Sequence, residues 1–236
     1  MTAFELLALS PPGWGGVLLR GLASSLEIAV GGYAVGLAIG TGGALGKLYG
    51  GPVVRDLLAG YTTVVRAVPE LVLIVLLYYA GTAFINQSLA ALGLSSIDIS
   101  GLAAGILVIG VVQGAYTTEV LRGAILAVPH GQIEAARAYG MGFGTALRRV
   151  TIPAMVPYAL PGLSNLWLIA TKDTALLAVV GFSELTLVTR QAAGGTKAYF
   201  LFFCVAGVLY FGVTMLSNAV IRLIELRTRR WMPSVA

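Results

Sequence analysis

The chain has 236 residues, of which 58% are hydrophobic, 11% are charged and 31 are glycine, a balance that leaves too little polar surface to cover a soluble domain of this length. The formal charge of +5 collects at the ends of apolar segments rather than among aromatics on one polar face, which excludes a nucleic-acid groove and fits membrane topology. One cysteine, Cys204 in an apolar run, excludes an intramolecular disulfide framework and any paired-cysteine metal site.

Residues 1–21 contain Glu5, Pro11 and Pro12 with no positive region ahead of an apolar core, so they do not read as a cleaved signal peptide, and the first span is expected to remain in the mature protein. A membrane-crossing helix needs about 20 mostly apolar residues. Five stretches approach this: residues 21–45, 57–84, 101–120, 150–180 and 199–224. The expected fold is therefore all-α, a single polytopic membrane domain over residues 1–236 with no internal repeat and no linker.

In the first span Gly32, Gly36 and Gly40 recur every fourth residue and share one helix face, which lets another backbone approach closely. That neighbour is either a helix of the same subunit, the simpler case, or one of a second copy. The following Gly46-Lys47 looks like the end of a phosphate-binding loop, but Thr41 and Leu48 stand where G-x4-G-K-[ST] needs glycine and serine or threonine. The run is the tail of a membrane span and not a nucleotide-binding loop.

The second span is interrupted by Arg66, Pro69 and Glu70, and the fourth by Pro153, Pro157, Pro161, Lys172 and Asp173. Charges within spans face a cavity, a partner or a pore. Arg66 and Glu70, four apart, either pair and brace the kink at Pro69, or Glu70 faces a pathway where its carboxylate attracts a cationic side chain. Glu27 and Glu119 are similar candidates in weaker contexts. Lys172 and Asp173 form either an internal ion pair or, with Thr174, a polar gate. Asn165 and Thr174 could hydrogen-bond the polar groups of a solute while Lys172 or Asp173 supplies a counter-charge.

Basic residues retained in cytoplasmic loops set the orientation. Lys47 and Arg55 lie between spans one and two, Arg122, Arg137, Arg148 and Arg149 between three and four, and Arg222, Arg227, Arg229 and Arg230 end the chain, while residues 86–100 carry none. The N-terminus is thus expected in the periplasm and the C-terminus in the cytoplasm, with Arg20, Arg190 and Lys197 breaking the pattern. The loop at residues 122–149 reads as structured. Strong helix formers run from Glu134 to Tyr139, and Gly140, Gly142 and Gly144 end that helix. Ile133, Ala136 and Gly140 fall on one face and Glu134 with Arg137 on another. His130, the single histidine, reads as polar surface, with no partners for a triad or a metal site.

Glu134-Ala135-Ala136, three residues, Gly140, nine residues, then Val150, Thr151 and Ile152-Pro153 resembles the EAA loop of ABC importer permeases, EAA-x3-G-x9-I-x-L-P, with apolar exchanges at 150 and 152. The segments Arg66 to Val72, Gly114 to Glu119, Arg122-Gly123-Ala124, Pro157 to Gly162, Asn165 and Lys172 to Leu176 extend the resemblance over nearly the whole chain. They are similar to the polar amino-acid permeases, most closely the Q-type subunit of histidine/lysine-arginine-ornithine and opine uptake systems. The resemblance implies a bacterial inner-membrane subunit without catalytic residues or a cofactor of its own. Glu134, Ala135, Ala136 and Gly140 would lie in a coupling helix docked on a cytoplasmic ATPase, where ATP and magnesium act. It further implies a second permease subunit, an M-type chain or another copy, two ATPase subunits, a periplasmic solute-binding protein, surrounding lipid, and a polar, basic amino acid or opine as solute.

Two other readings compete. An ion-coupled secondary amino-acid transporter would need no ATPase, and the EAA-type loop and the missing repeat argue against it. A membrane-embedded enzyme would need a convergent nucleophile, acid–base group or metal cluster that the sequence does not display.

Overall fold

In the computed structural model, residues 2–95 and 100–229 are described, and their regular structure is helical throughout. Arg230, counted with the basic C-terminal end, lies outside the described residues, as do residues 96–99 of the connection that carries no basic side chain. The helices are α1 (Ala3–Leu6), α2 (Gly15–Tyr49), α3 (Pro52–Ala67), α4 (Glu70–Ala91), α5 (Gly101–Leu126), α6 (His130–Ala138), α7 (Phe143–Ala146), α8 (Ile152–Asp173), α9 (Leu185–Thr196) and α10 (Tyr199–Arg229). Among the described residues, five helical stretches are long and apolar enough to cross a membrane: Gly15–Tyr49, Glu70–Ala91, Gly101–Leu126, Phe143–Val180 and Tyr199–Thr228.

α2 and α5 form the centre of the fold. The glycine stripe of α2 faces α5 in a parallel register, Gly32 on Ile109, Gly36 on Gln113 and Gly40 on Thr117. A Cβ at Gly36 would lie 2.9 Å from Gln113 Cβ, so a methyl group there would force the helices apart. α5 returns the arrangement, with Gly110 against Val35 and Gly114 against Ile39. The stripe therefore serves packing within one subunit. Near the other end of this pair, Lys47 Nζ donates to Thr62 Oγ1 at 2.8 Å and to Glu119 Oε1 at 2.5 Å, while Arg122 Nη2 donates to Glu119 Oε2 at 2.8 Å. This joins α2, α3 and α5, and it makes Glu119 a structural carboxylate rather than a pathway group. Glu27 is exposed on α2.

The second span is two helices. Pro69 cannot donate a backbone hydrogen bond and pushes Val68 into extended geometry (φ −91°, ψ 138°), so α3 stops at Ala67 and α4 restarts at Glu70. Val65 and Leu73, on either side of the break, pack together against Val112 and Ala115 of α5. The break is thus level with the middle of α5. Arg66 is exposed, and no ion pair joins it to Glu70 among the described residues, so of the two readings the paired one is not found, and apolar packing braces the kink.

The fourth span departs from the expectation of an interrupted helix. α8 continues through Pro157 and Pro161 to Asp173. Each proline removes one i→i−4 bond, and their spacing of four confines the loss to one face, which neighbouring helices in a membrane protein can tolerate. A π-helical turn, Leu147–Thr151, leads into α8, and a 3-10 stretch, Thr174–Val180, follows it. Seven residues are long for a 3-10 helix, a form found at hinges. Gly181, at φ 83°, ends it in the left-handed region.

α9 is a further element between the fourth and fifth spans. The buried Glu184 carboxylate caps it, accepting from the N–H groups of Thr186 and Leu187 at 2.8 Å each. The same carboxylate accepts from Ser25 Oγ of α2 at 3.2 Å and from Tyr210 of α10 at 3.1 Å. Leu18, Leu185, Val188 and Phe202 complete this corner. Arg190 and Lys197, the basic residues that break the charge pattern, are exposed on and just after this helix.

Candidate functional site

The break between α3 and α4 delivers Glu70 to the first turn of α4, where the unpaired N–H groups of a helix start favour a carboxylate. Glu70 stands near Asp173 at the end of α8 and Tyr116 on α5, close enough for its charge to act on both. Asp173 is buried, and its Oδ2 accepts from Gln113 Nε2 at 3.1 Å. Gln113 is fully buried, and its Oε1 has no hydrogen-bond partner. One turn along α5, the buried Thr117 Oγ1 is also unpartnered. Two carboxylates, an amide and a phenol from α4, α8 and α5 thus meet beside a broken helix and ahead of the 3-10 stretch. Such a group can hold a cation or a polar solute, and broken helices in membrane proteins occur where the backbone faces protein or a water-filled cavity.

Of the five residues expected to meet solute, the structure brings Glu70 and Asp173 together. Thr174 is buried beside them, but its hydroxyl donates to the Thr171 carbonyl at 3.0 Å. Asn165 and Lys172, seven residues apart on α8, share an exposed face outside the cluster. No ion pair joins Lys172 to Asp173 among the described residues, and the side chain that bonds Asp173 is Gln113. Gln113 and Tyr116 escaped the sequence reading as site residues. The available signal was a lone amide within the apolar run of α5.

The loop expected to couple forms α6. It ends as its sequence predicts, with Gly140 at φ 74°. Gly140 N–H donates to the Arg137 carbonyl at 2.9 Å and Met141 N–H to the Ala136 carbonyl at 3.0 Å, the paired bonds of a Schellman ending. Ala136 is buried against the protein, whereas Glu134, Ala135, Arg137, Tyr139 and Gly140 are exposed. The edge-on rings of Tyr49 and Phe143, 4.9 Å apart, tie the segment to the end of α2. A cleft of about 330 Å³ opens there between α6 and the ends of α2 and α5. His130 is exposed on its rim.

Residues 32–230 match the family model described as binding-protein-dependent transport system inner membrane component. The chain is 39% identical over 227 residues to the octopine transport system permease protein OccQ of Agrobacterium tumefaciens (strain Ach5), covering 96% of each protein. It is 41% identical over 215 residues to the histidine/lysine/arginine/ornithine transport system permease protein HisQ of Salmonella typhimurium, covering 91% of this chain and 94% of that one. In a crystal structure of an amino acid ABC transporter with histidines, one chain superposes with a TM-score of 0.76 at 28% identity, covering 91% of this chain and 95% of its own length. The inward-facing MetNI methionine ABC transporter shares the fold, with a TM-score of 0.70 at 19% identity over 91% of this chain and 99% of that chain. The ion-coupled reading finds no support in these relationships. With its five candidate spans and a family match over most of its length, the chain belongs to the family of inner membrane components of binding-protein-dependent transport systems.

Proposed function

We propose that this permease passes polar, basic amino acids or opines across a bacterial inner membrane by alternating access, driven by ATP hydrolysed with magnesium on partner subunits. The observation that carries the reading is the meeting of Glu70 and Asp173 beside the break at residues 68–69. A cationic side chain or guanidinium entering there would gain charge-assisted hydrogen bonds from both carboxylates, while Gln113 Oε1 offers an acceptor already desolvated. The relatives named for octopine and for histidine, lysine, arginine and ornithine favour the same class of solute. Asn165, Lys172 and Thr174 would act at the approach to this site and not at its centre.

The exposed face of α6, with Glu134, Ala135 and Tyr139 outward, would dock on a cytoplasmic ATPase, and Gly140 would fix the angle at which that face is presented. In this orientation the N-terminus is periplasmic and the C-terminus cytoplasmic. Two ATPase subunits, a second permease chain and a periplasmic solute-binding protein complete the machine.

The reading is tested by ATP-driven uptake of radiolabelled arginine, histidine and a neutral amino acid into vesicles containing the chain with its co-encoded partners. Cationic solutes are expected to enter only with ATP, and Glu134→Lys to leave ATP hydrolysis running while uptake falls. Uptake that follows an ion gradient without ATP would overturn the assignment.

A further inference from the structure

We infer that the seam between α8 and α10 is a binding groove for one anionic phospholipid, with an acyl chain along the seam and the phosphate at Arg227. α10 packs more extensively on α9 than on α8, and two adjoining hollows lie between α8 and α10. The first, about 450 Å³, runs between Leu160 and Leu163 on α8 and Val213, Leu216, Val220 and Ile224 on α10. The second, about 500 Å³, continues from the same Ile224 past Pro153, Val156 and Pro157 to Arg227 and Thr228.

The chemistry of the lining suits a hydrocarbon chain. Three of the polar side chains lining the first hollow are bonded within the protein: Tyr33 Oη donates to the Leu163 carbonyl at 3.0 Å, and Trp167 Nε1 donates to Ser217 Oγ at 3.0 Å. The Tyr33 and Trp167 rings, edge-on with centroids 5.5 Å apart, stand in its wall. The length suits a single leaflet. From Val213 to Thr228 the groove follows α10 for roughly 22 Å at 1.5 Å per residue. One leaflet contributes about 15 Å of hydrocarbon, which leaves the Arg227 end for the glycerol and phosphate.

Charge selects the headgroup. Arg227 is exposed and makes no ion pair among the described residues, and Glu225, two residues away, lies on the opposite face of α10. Thr228 lines the same end of the groove, but its hydroxyl donates back to the Ile224 carbonyl at 2.9 Å, so the guanidinium is the group left for a phosphate. A zwitterionic headgroup would gain less from an unneutralised arginine than an anionic one does. A helix of a paired permease could cover an apolar groove as well, but it would have no use for an unpaired arginine at one end.

The test uses the complete transporter, purified in detergent, incubated with equimolar phosphatidylglycerol and phosphatidylcholine and read by native mass spectrometry. Phosphatidylglycerol is expected to remain bound in preference to phosphatidylcholine. Arg227→Gln, an exposed change, should lower the retained phosphatidylglycerol about fivefold. Val220→Trp, which fills the groove and keeps the arginine, should lower it as well. Equal retention of both lipids, unchanged by Arg227→Gln, would overturn the proposal in favour of unselective annular lipid. Absence of retained lipid, with Val220→Cys cross-linking to a paired permease, would overturn it in favour of a protein-covered seam.

Discussion

Gln113 Nε2 donates to Asp173 Oδ2 across 3.1 Å, joining the middle of α5 to the end of α8 and leaving Gln113 Oε1 buried without a partner. The bond fixes the carboxylate next to Glu70, and the spare carbonyl is an acceptor whose desolvation has already been met by folding.

Asp173→Asn keeps a hydrogen-bonding group of the same shape but removes the charge. Loss of a hydrogen bond to a cationic group amounts to about 1.5–3 kcal/mol, so KM for arginine uptake should rise roughly tenfold to a hundredfold, with neutral solutes little affected. Glu70→Gln should act in the same direction. Initial uptake rates over a range of solute concentrations decide this, and an equal effect on neutral and cationic solutes would remove the charge argument.

Gly40→Leu should prevent close packing of α2 on α5. A Cβ at position 40 falls against the backbone and side chain of Thr117, and overpacking costs about 1–3 kcal/mol. Gly42, two residues on, has nothing within 4 Å of its would-be Cβ, so Gly42→Ala should melt with the parent protein. Thermal melts of the detergent-solubilised variants give the comparison.

Glu184→Ala should be among the most destabilising single changes. It uncaps α9 and strands Ser25 and Tyr210, which bond the same carboxylate, for a loss of about 3 kcal/mol. Glu184→Gln keeps an acceptor for the helix start and should lose about half as much. Protease resistance and melting temperature should rank the three proteins parent, Gln, Ala.

Gly140→Val acts through backbone conformation alone, because nothing lies within 4 Å of a Cβ there while φ is 74°. The left-handed region costs an L-residue about 1–2 kcal/mol, enough to loosen the end of α6 without unfolding the spans. The expected outcome is normal membrane insertion with more ATP hydrolysed per solute imported. Gly140→Asn should be milder, since asparagine accepts this conformation more readily.

The spans were legible because apolar runs of sufficient length have few other uses, and the break at residues 68–69 because proline acts locally. The end of α6 was legible for the same reason: Gly140 follows a run of helix formers. Where distant parts of the chain decide the outcome, local reading falls short. α8 runs through two prolines because its neighbours hold it, and the pattern at residues 153–161 alone looks like an interruption. α9 depends on a glutamate cap supported by Ser25 of α2, 159 residues away, and by Tyr210 of α10, 26 residues away. Asp173 was found as a charge inside a span, but its partner lies 60 residues away in Gln113, so the lysine next to it took that role in the sequence reading.

The parallel glycine register between α2 and α5 also constrains how the protein changes shape. Slippage by one residue would drive Ile109, Gln113 and Thr117 into positions without room for them, so the two helices travel as a single beam. A displacement imposed at one end of this pair would therefore be passed along the beam instead of being absorbed in it. Bending is left to the places where regular hydrogen bonding already lapses, residues 68–69 and the 3-10 stretch Thr174–Val180, which stand on two sides of Glu70 and Asp173.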